Sequence, residues 1–301
     1  MKIHFKRILC ATDLSDFSNL AVAQAIEMAK EFGARLYICH VIDLPMVSMH
    51  GAAFVYPDNQ IEEMKTGAME QIKRLVGDND LSWEAIVETG PVSTTLCRLG
   101  ADRHADLAIV STHGRTGIRR LFLGSVTERL LRTVACPLLV VTPPEKASGG
   151  EHPFKGFGFK QILVGCDFSD DSQNAVDYGF SLAQEFEAAI HLVHVVEPFV
   201  YRDTMLPDST EIDTLDAVSA GSQKRLEALV PEGARNWCEV HIASESGKPF
   251  MALKAYADTH QIDLIVLGVR GHSLVETMLL GSTTDRVIRG VACPVLSVCP
   301  P

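Results

Sequence analysis

The sequence has no excess of basic residues. Asp and Glu number 38 against 27 Lys and Arg, for a formal net charge of −11. A nucleic-acid partner wants a basic face, so that class of function is excluded. Its eight cysteines form no C-x-x-C pair, which removes the usual zinc and disulfide frameworks. Cys10, Cys39 and Cys166 stand inside apolar runs and read as small buried hydrophobes. No apolar run approaches a membrane span, and the start "MKIHFKRILCATD" has no apolar signal core. The expectation is a soluble protein of the reducing cytoplasm. No G-x-G-x-x-G follows a strand. Gly247-Lys248 resemble the end of a P-loop, but Pro249 follows and Ile242 stands where the loop's first glycine belongs, so this reads as a turn before a helix. No Ser–His–Asp set and no telling pair of carboxylates emerges, and the chain reads as having no catalytic centre.

What the sequence does have is itself, twice. "RILCATDLSD" (7–16) matches "QILVGCDFSD" (161–170), "ICHVID" (38–43) matches "LVHVVE" (192–197), and "ACPLLVV" (135–141) matches "ACPVLSV" (292–298). Asp13 to Asp167 is a step of 154; Gly114 to Gly271 and Pro137 to Pro294 are steps of 157. A duplication with one three-residue length change accounts for this. The change falls after the second strand, because Gly90 and Gly247 already differ by 157. With 301 residues, each half is large enough to bury its own core. The Pro- and Gly-rich "PPEKASGGEHPFKGFGF" (143–159) reads as a linker. The expected division is 1–143, linker 144–159, and 160–301.

Strands and helices alternate within each half. "RILCATD" is a strand, followed by a helix that Ser15 or Ser18 caps and Gly33 stops, with Ala21, Ala25, Met28, Ala29 and Phe32 on one stripe. "RLYICHVI", "WEAIVE", "DLAIVS" and "PLLVV" are further strands, with helices near 60–76, 92–104 and 120–133. The second half predicts strands at 161–166, 189–196, 236–242, 263–268 and 294–298, with helices at 171–187, 212–229, 249–260 and 278–289. Apolar strands alternating with helices imply a parallel sheet with helices on both faces.

In such a sheet ligands sit beyond the carboxyl ends of the strands. Gly268 and Gly271 follow a strand, and Gly281-Ser282 precede the last helix. Glycine admits positive φ and lets backbone N–H groups approach a ligand. A helix N-terminus adds free donors and partial positive charge. Together these suit a phosphate chain. The first half repeats the frame with Gly114, Gly124 and Ser125, but Ser111 replaces the first glycine. If that position needs a left-handed backbone, a serine there costs roughly 1–2 kcal/mol. Loop charge runs the other way, with Arg115, Arg119 and Arg120 in the first half against Arg270 and Glu276 in the second. Exposed charges are individually small, so the second site is expected to be the tighter.

These residues resemble the nucleotide signature of the universal stress proteins in their tandem two-domain form, G-x2-G-x9-G-[S/T]. The second half matches it throughout with Gly268, Gly271, Gly281 and Ser282; the first matches at Gly114, Gly124 and Ser125 and departs at Ser111. The resemblance implies two tandem flavodoxin-like (adenine nucleotide alpha hydrolase-like) domains, each a five-stranded parallel sheet. It implies ATP as ligand, with Mg2+ as a companion ion, and a role in stress response and signalling. By the same resemblance Asp13 and Asp167, and Val41 and Val195, lie near the adenine, with Val126 and Thr283 behind the serines at the phosphate end. Single-domain relatives dimerise through their last strand. A tandem chain can satisfy that edge internally as a pseudo-dimer, and any further homodimer would use other surfaces. Competing functions are a slow ATPase and a protein-interaction module that binds no ATP or another small ligand. An ATP pyrophosphatase is disfavoured, because "TDLSDFS" and "CDFSDDS" replace its S-G-G-x-D-S loop.

Asp13 and Asp167 can equally stabilise the turns that follow them. His40 and His194 read as satisfied core residues, while His113 and His272, inside the glycine loops, are nearer candidates for ligand contact. His191 and His194 sit three apart on a strand and face opposite sides, so they cannot share a metal.

Overall fold

Each half repeats one order of elements, and the repeat extends to their caps. A computed structural model of the chain describes residues 3–44, 48–49, 52–53, 56–112, 123–142, 158–197, 209–269 and 281–299. The first half runs β1 (Arg7–Ala11), α1 (Asp16–Phe32), β2 (Arg35–Ile42), a short antiparallel pair β3 (Ser48–Met49) and β4 (Ala52–Ala53), α2 (Asp58–Val76), β5 (Trp83–Thr89), α3 (Val92–Asp102), β6 (Leu107–Ser111), α4 (Ser125–Thr133) and β7 (Leu138–Val141). The second runs β8 (Gln161–Gly165), α5 (Asp170–Phe186), β9 (Ala189–Val196), α6 (Ser209–Glu227), β10 (Val240–Ser246), α7 (Pro249–Thr259), β11 (Leu264–Gly268), α8 (Ser282–Gly290) and β12 (Val295–Val298). Within the first half the strands lie in the order β7-β6-β1-β2-β5, and within the second in the order β12-β11-β8-β9-β10. Neighbours in each set are parallel. The order reverses direction between β1 and β6, and between β8 and β11. Those are the topological switch points where open α/β sheets bind ligands.

The local sequence explains the starts and stops. Ser15 caps α1 by accepting from the Ser18 N–H, and Ser169 caps α5 from Ser172 N–H, both at 3.3 Å. Gly33 ends α1 in the left-handed region at φ 59°. The stripe Ala21, Ala25, Met28, Ala29 and Phe32 is buried, and so is β2 after Arg35. Phe5 packs edge-on against Phe32 with ring centroids 5.1 Å apart, and Phe159 against Phe186 at 5.3 Å. The core of the second half therefore begins at Phe159, the last residue of the expected linker. Linker residues 143–157 lie outside the described residues.

Three boundaries depart most from expectation. Strand β10 lies at 240–246 rather than 236–242, because Trp237 and Cys238, apolar in sequence, follow a 3-10 turn at Ala234–Asn236. The length change sits at the same place. Ala68 and Ile72 are buried at the positions of Ser222 and Leu226, a step of 154, while β5 and β10 are 157 apart. The three extra residues thus enter between Leu226 and Val240, where the second half makes its 3-10 turn. The helices expected at 120–133 and 278–289 begin later, at Ser125 and Ser282.

Candidate functional site

The carboxyl end of β1 turns into α1 through Thr12, Asp13 and Leu14. Asp13 Oδ1 accepts from the Ser15 N–H at 3.1 Å and the Ser15 hydroxyl at 2.6 Å. Asp167 does the same with Ser169 at 3.0 and 2.5 Å. Both aspartates therefore hold the turn. Between them and the serines, Leu14 and Phe168 sit in the left-handed region at φ 62° and 66°. A bulky residue there stores roughly 1–2 kcal/mol of strain, and the duplication places it at matching positions beside the candidate site.

A cavity of about 230 Å³ opens beyond the strand ends of the first half. Six expected residues line it together: Asp13, Val41, Ser111, Gly124, Ser125 and Val126. Ala11, Cys39, Val92, Leu96 and Val110 add apolar wall, and Thr12, Ser18 and Thr127 add hydroxyls. Sequence reasoning missed these eight, which are ordinary core or cap residues in a linear view. The Thr12 and Ser18 hydroxyls bond each other at 2.9 Å. Burial pushes the Cys39 thiol up to about 12, so that wall stays neutral. Asp13 is the one carboxylate among the described residues of the lining. Among the described residues no group of histidines, cysteines and carboxylates could hold a metal ion.

The floor near α4 is built from backbone. The Gly124 N–H donates to Thr112 O at 3.0 Å, and the Thr127 hydroxyl to Ser111 O at 2.9 Å. The second half repeats both bonds, Gly281 N–H to Val269 O and the Thr284 hydroxyl to Gly268 O, each at 2.8 Å. Helix α4 starts at Gly124 without a side-chain cap, leaving its first-turn N–H groups for water or an anion.

The reason expected for these glycines needs correction. Gly124 and Gly281 have φ of −60° and −58°, and Gly268, the last residue of β11, is not among the positive-φ residues. Ser111 ends β6 in the same way and carries no left-handed strain. What Gly268 needs is room: a Cβ there would meet the backbone carbonyl group and Cβ of Asp171 at 2.8–2.9 Å. The strain foreseen at Ser111 is found at Leu14 and Phe168 instead, and the ground for ranking the second site tighter falls away. Asp167 follows β8, Val195 lies in β9, and Ser282 and Thr283 open α8. Gly114, Gly271, His113, His272, Arg115, Arg119, Arg120, Arg270 and Glu276 lie outside the described residues.

The two strand histidines behave as core groups. His40 donates from Nδ1 to Thr12 O at 2.9 Å and is buried. His194 donates to Cys166 O at 2.7 Å and meets the Phe168 ring at a tilt, with centroids 4.5 Å apart; the Arg225 guanidinium lies 3.7 Å from the same ring's centroid.

The family model described as the Universal stress protein family matches residues 4–142 and again 158–298. A universal stress protein of Methanocaldococcus jannaschii is 31% identical over 144 residues, 47% of this chain and 85% of that protein. One of Mycolicibacterium smegmatis is 26% identical over 305 residues, 97% of each chain. The crystal structure of a universal stress protein from Archaeoglobus fulgidus superposes with a TM-score of 0.66 at 23% identity, covering 98% of this chain and 96% of the other. No helix among the described residues is long and apolar enough to cross a membrane.

Proposed function

The chain belongs to the universal stress protein family, and from that premise we propose that it binds ATP in the first-half cavity and serves as a nucleotide-dependent regulator in a stress response. Gly124 carries the proposal. Its backbone is ordinary, and a Cβ there would make only normal contacts, at 3.4 Å to Thr112 O and 3.9 Å to the Thr127 hydroxyl. Among the described residues neither conformation nor packing asks for glycine at that point. An approaching ligand does, because the bare backbone exposes the first-turn N–H groups of α4 to the cavity. The apolar wall of Val41, Val92, Leu96 and Val110 suits a base, and the Gly124-Ser125 end suits phosphate.

The second half, with Asp167, Val195, Gly268, Gly281, Ser282 and Thr283 in the matching frame, is a second and weaker site. With backbone strain removed from the comparison, charge decides, and Arg115, Arg119 and Arg120 favour the first loop. Hydrolysis is not part of the role. Asp13 is tied to Ser15, and the described residues that line the cavity include neither lysine nor histidine. A general base would be needed for a gain of about 10²–10⁴ in rate.

The test begins with mass spectrometry of the ligand released from purified, denatured protein, followed by calorimetric titration with ATP. An adenine nucleotide in the first experiment, and Gly124→Val weakening binding more than Gly281→Val in the second, are expected. No binding in the intact protein would overturn the proposal.

A further inference from the structure

The second half gathers three histidines and a tyrosine at the amino end of its sheet, away from the ligand loops. His191 is the third residue of β9 and only 3% exposed. Its Nε2 lies 2.8 Å from Gln161 Oε1 and its Nδ1 lies 3.0 Å from the Tyr256 hydroxyl. An amide oxygen only accepts, so Nε2 carries the proton and Nδ1 accepts from Tyr256. The ring is thus neutral and satisfied on both nitrogens. His241 stacks on it with centroids 4.4 Å apart, and His260 stands 5.4 Å away, itself stacked on Tyr256 at 4.1 Å. The elements that meet here are β8, β9, β10 and α7.

The repeat makes the cluster meaningful. Steps of 154 and 157 turn Tyr37, Glu84 and Arg103 of the first half into His191, His241 and His260 of the second. In the first half Arg35 and Arg103 flank the Tyr37 ring at 5.5 and 5.4 Å, and Glu84 bridges the two arginines at 3.2 and 2.9 Å. Arginine keeps its charge at every relevant pH. The second half carries three imidazoles at the positions of Tyr37, Glu84 and Arg103 instead.

We infer that His191, His241 and His260 with Tyr256 form an acid-sensitive latch that fastens α7 to β9 and β10, so that acidification loosens the second half while the first is unaffected. His241 is half-exposed with Glu239 at 3.2 Å, and His260 is exposed. The buried, neutral His191 ring therefore has a solvent-accessible imidazole on each of two sides. The remaining charged groups do not rescue it. Glu245 bears on Tyr256, Asp258 is paired with Lys254 at 2.9 Å, and Asp263 is committed to the Lys160 and Gln161 N–H groups at 2.7 and 3.1 Å. Burial, with His241 and His260 beside it, lowers the His191 imidazole to about 4. Above pH 6.5 the latch is fully closed. As pH falls from 6.5 toward 4 the opened state binds a proton that the closed state refuses, and opening becomes more favourable by up to about tenfold per pH unit. The latch reaches the ligand end through α7. Leu253, one turn before Tyr256, packs against Gly165 at the end of β8, where a Cβ would meet it at 3.3 Å.

Hydrogen exchange of the full chain at pH 7 and pH 5, corrected for the intrinsic rates, tests the inference without any ligand. Helix α7 should open at least about tenfold more at pH 5 than at pH 7, and α3, its counterpart, should not. His191→Gln should remove the difference. The surface pair His241→Gln with His260→Gln, which leaves the buried ring intact, should raise the His191 titration midpoint seen by NMR and shrink the acid effect. Equal responses of α3 and α7 in the intact protein, or an unchanged His191 midpoint in the surface double variant, would overturn it.

Discussion

The first half of the chain closes the amino end of its sheet with Arg35, Glu84 and Arg103, whereas the second closes it with His191, His241 and His260. At the carboxyl ends the halves stay alike, down to the Asp-Ser turn, the left-handed residue after the aspartate and the threonine bond to the last strand residue. The difference teaches where duplication leaves freedom. The end where we propose a ligand keeps its backbone positions in both copies. The opposite end needs only to be covered, and covering with titratable groups gives one copy a response that the other lacks.

The two tryptophans let each half be read separately, since Trp83 lies in β5 and Trp237 precedes β10. With Trp237→Phe or Trp83→Phe as background, urea unfolding reports one half at a time. The largest effect should come from the repeated aromatic pair. Phe5→Ala and Phe159→Ala should each cost about 3–5 kcal/mol in their own half. A loss below about 1 kcal/mol for Phe159→Ala would place it in the linker after all. Next comes Gly268→Ser, which copies the first half's Ser111 into the second. Its Cβ would collide with the Asp171 backbone, so a loss of about 1–3 kcal/mol is expected, and Ser111→Gly should cost about 1 kcal/mol or less. Equal costs would mean that the two strand ends are packed alike. Acid should lower the stability read by Trp237 by about 1–2 kcal/mol between pH 7 and pH 5, with no matching fall at Trp83. A parallel fall would erase the distinction between the two clusters. The smallest effect belongs to Gly124→Ala, which should change stability by no more than about 1 kcal/mol.

Much of this was legible in the sequence, because repetition checks every inference twice. The matched stretches fix both copies of the strand–helix order, and the glycine–serine frame finds the end of β6 and the start of α4. The failures have physical causes. Trp237 and Cys238 look like strand residues, yet their apolar faces serve a 3-10 turn. The strained Leu14 and Phe168 carry no sequence signal, since neither residue type favours φ above zero. Thr12, Ser18 and Leu96 reach the cavity only through tertiary packing. The histidine cluster joins residues 50 and 19 positions apart (191 to 241, 241 to 260). Comparing the two copies position by position would have shown it, because Tyr37, Glu84 and Arg103 become three histidines at the same steps.

The central claim is that an adenine nucleotide occupies the first-half cavity over the bare backbone of Gly124. Calorimetric titration of ATP into the intact chain and into Gly124→Val, with the melting temperature of each measured alongside, tests it most directly. The account predicts saturable binding to the intact chain, and an affinity at least about tenfold lower in the variant, equivalent to about 1.4 kcal/mol, with the fold retained. Undiminished binding by a folded Gly124→Val protein would contradict it.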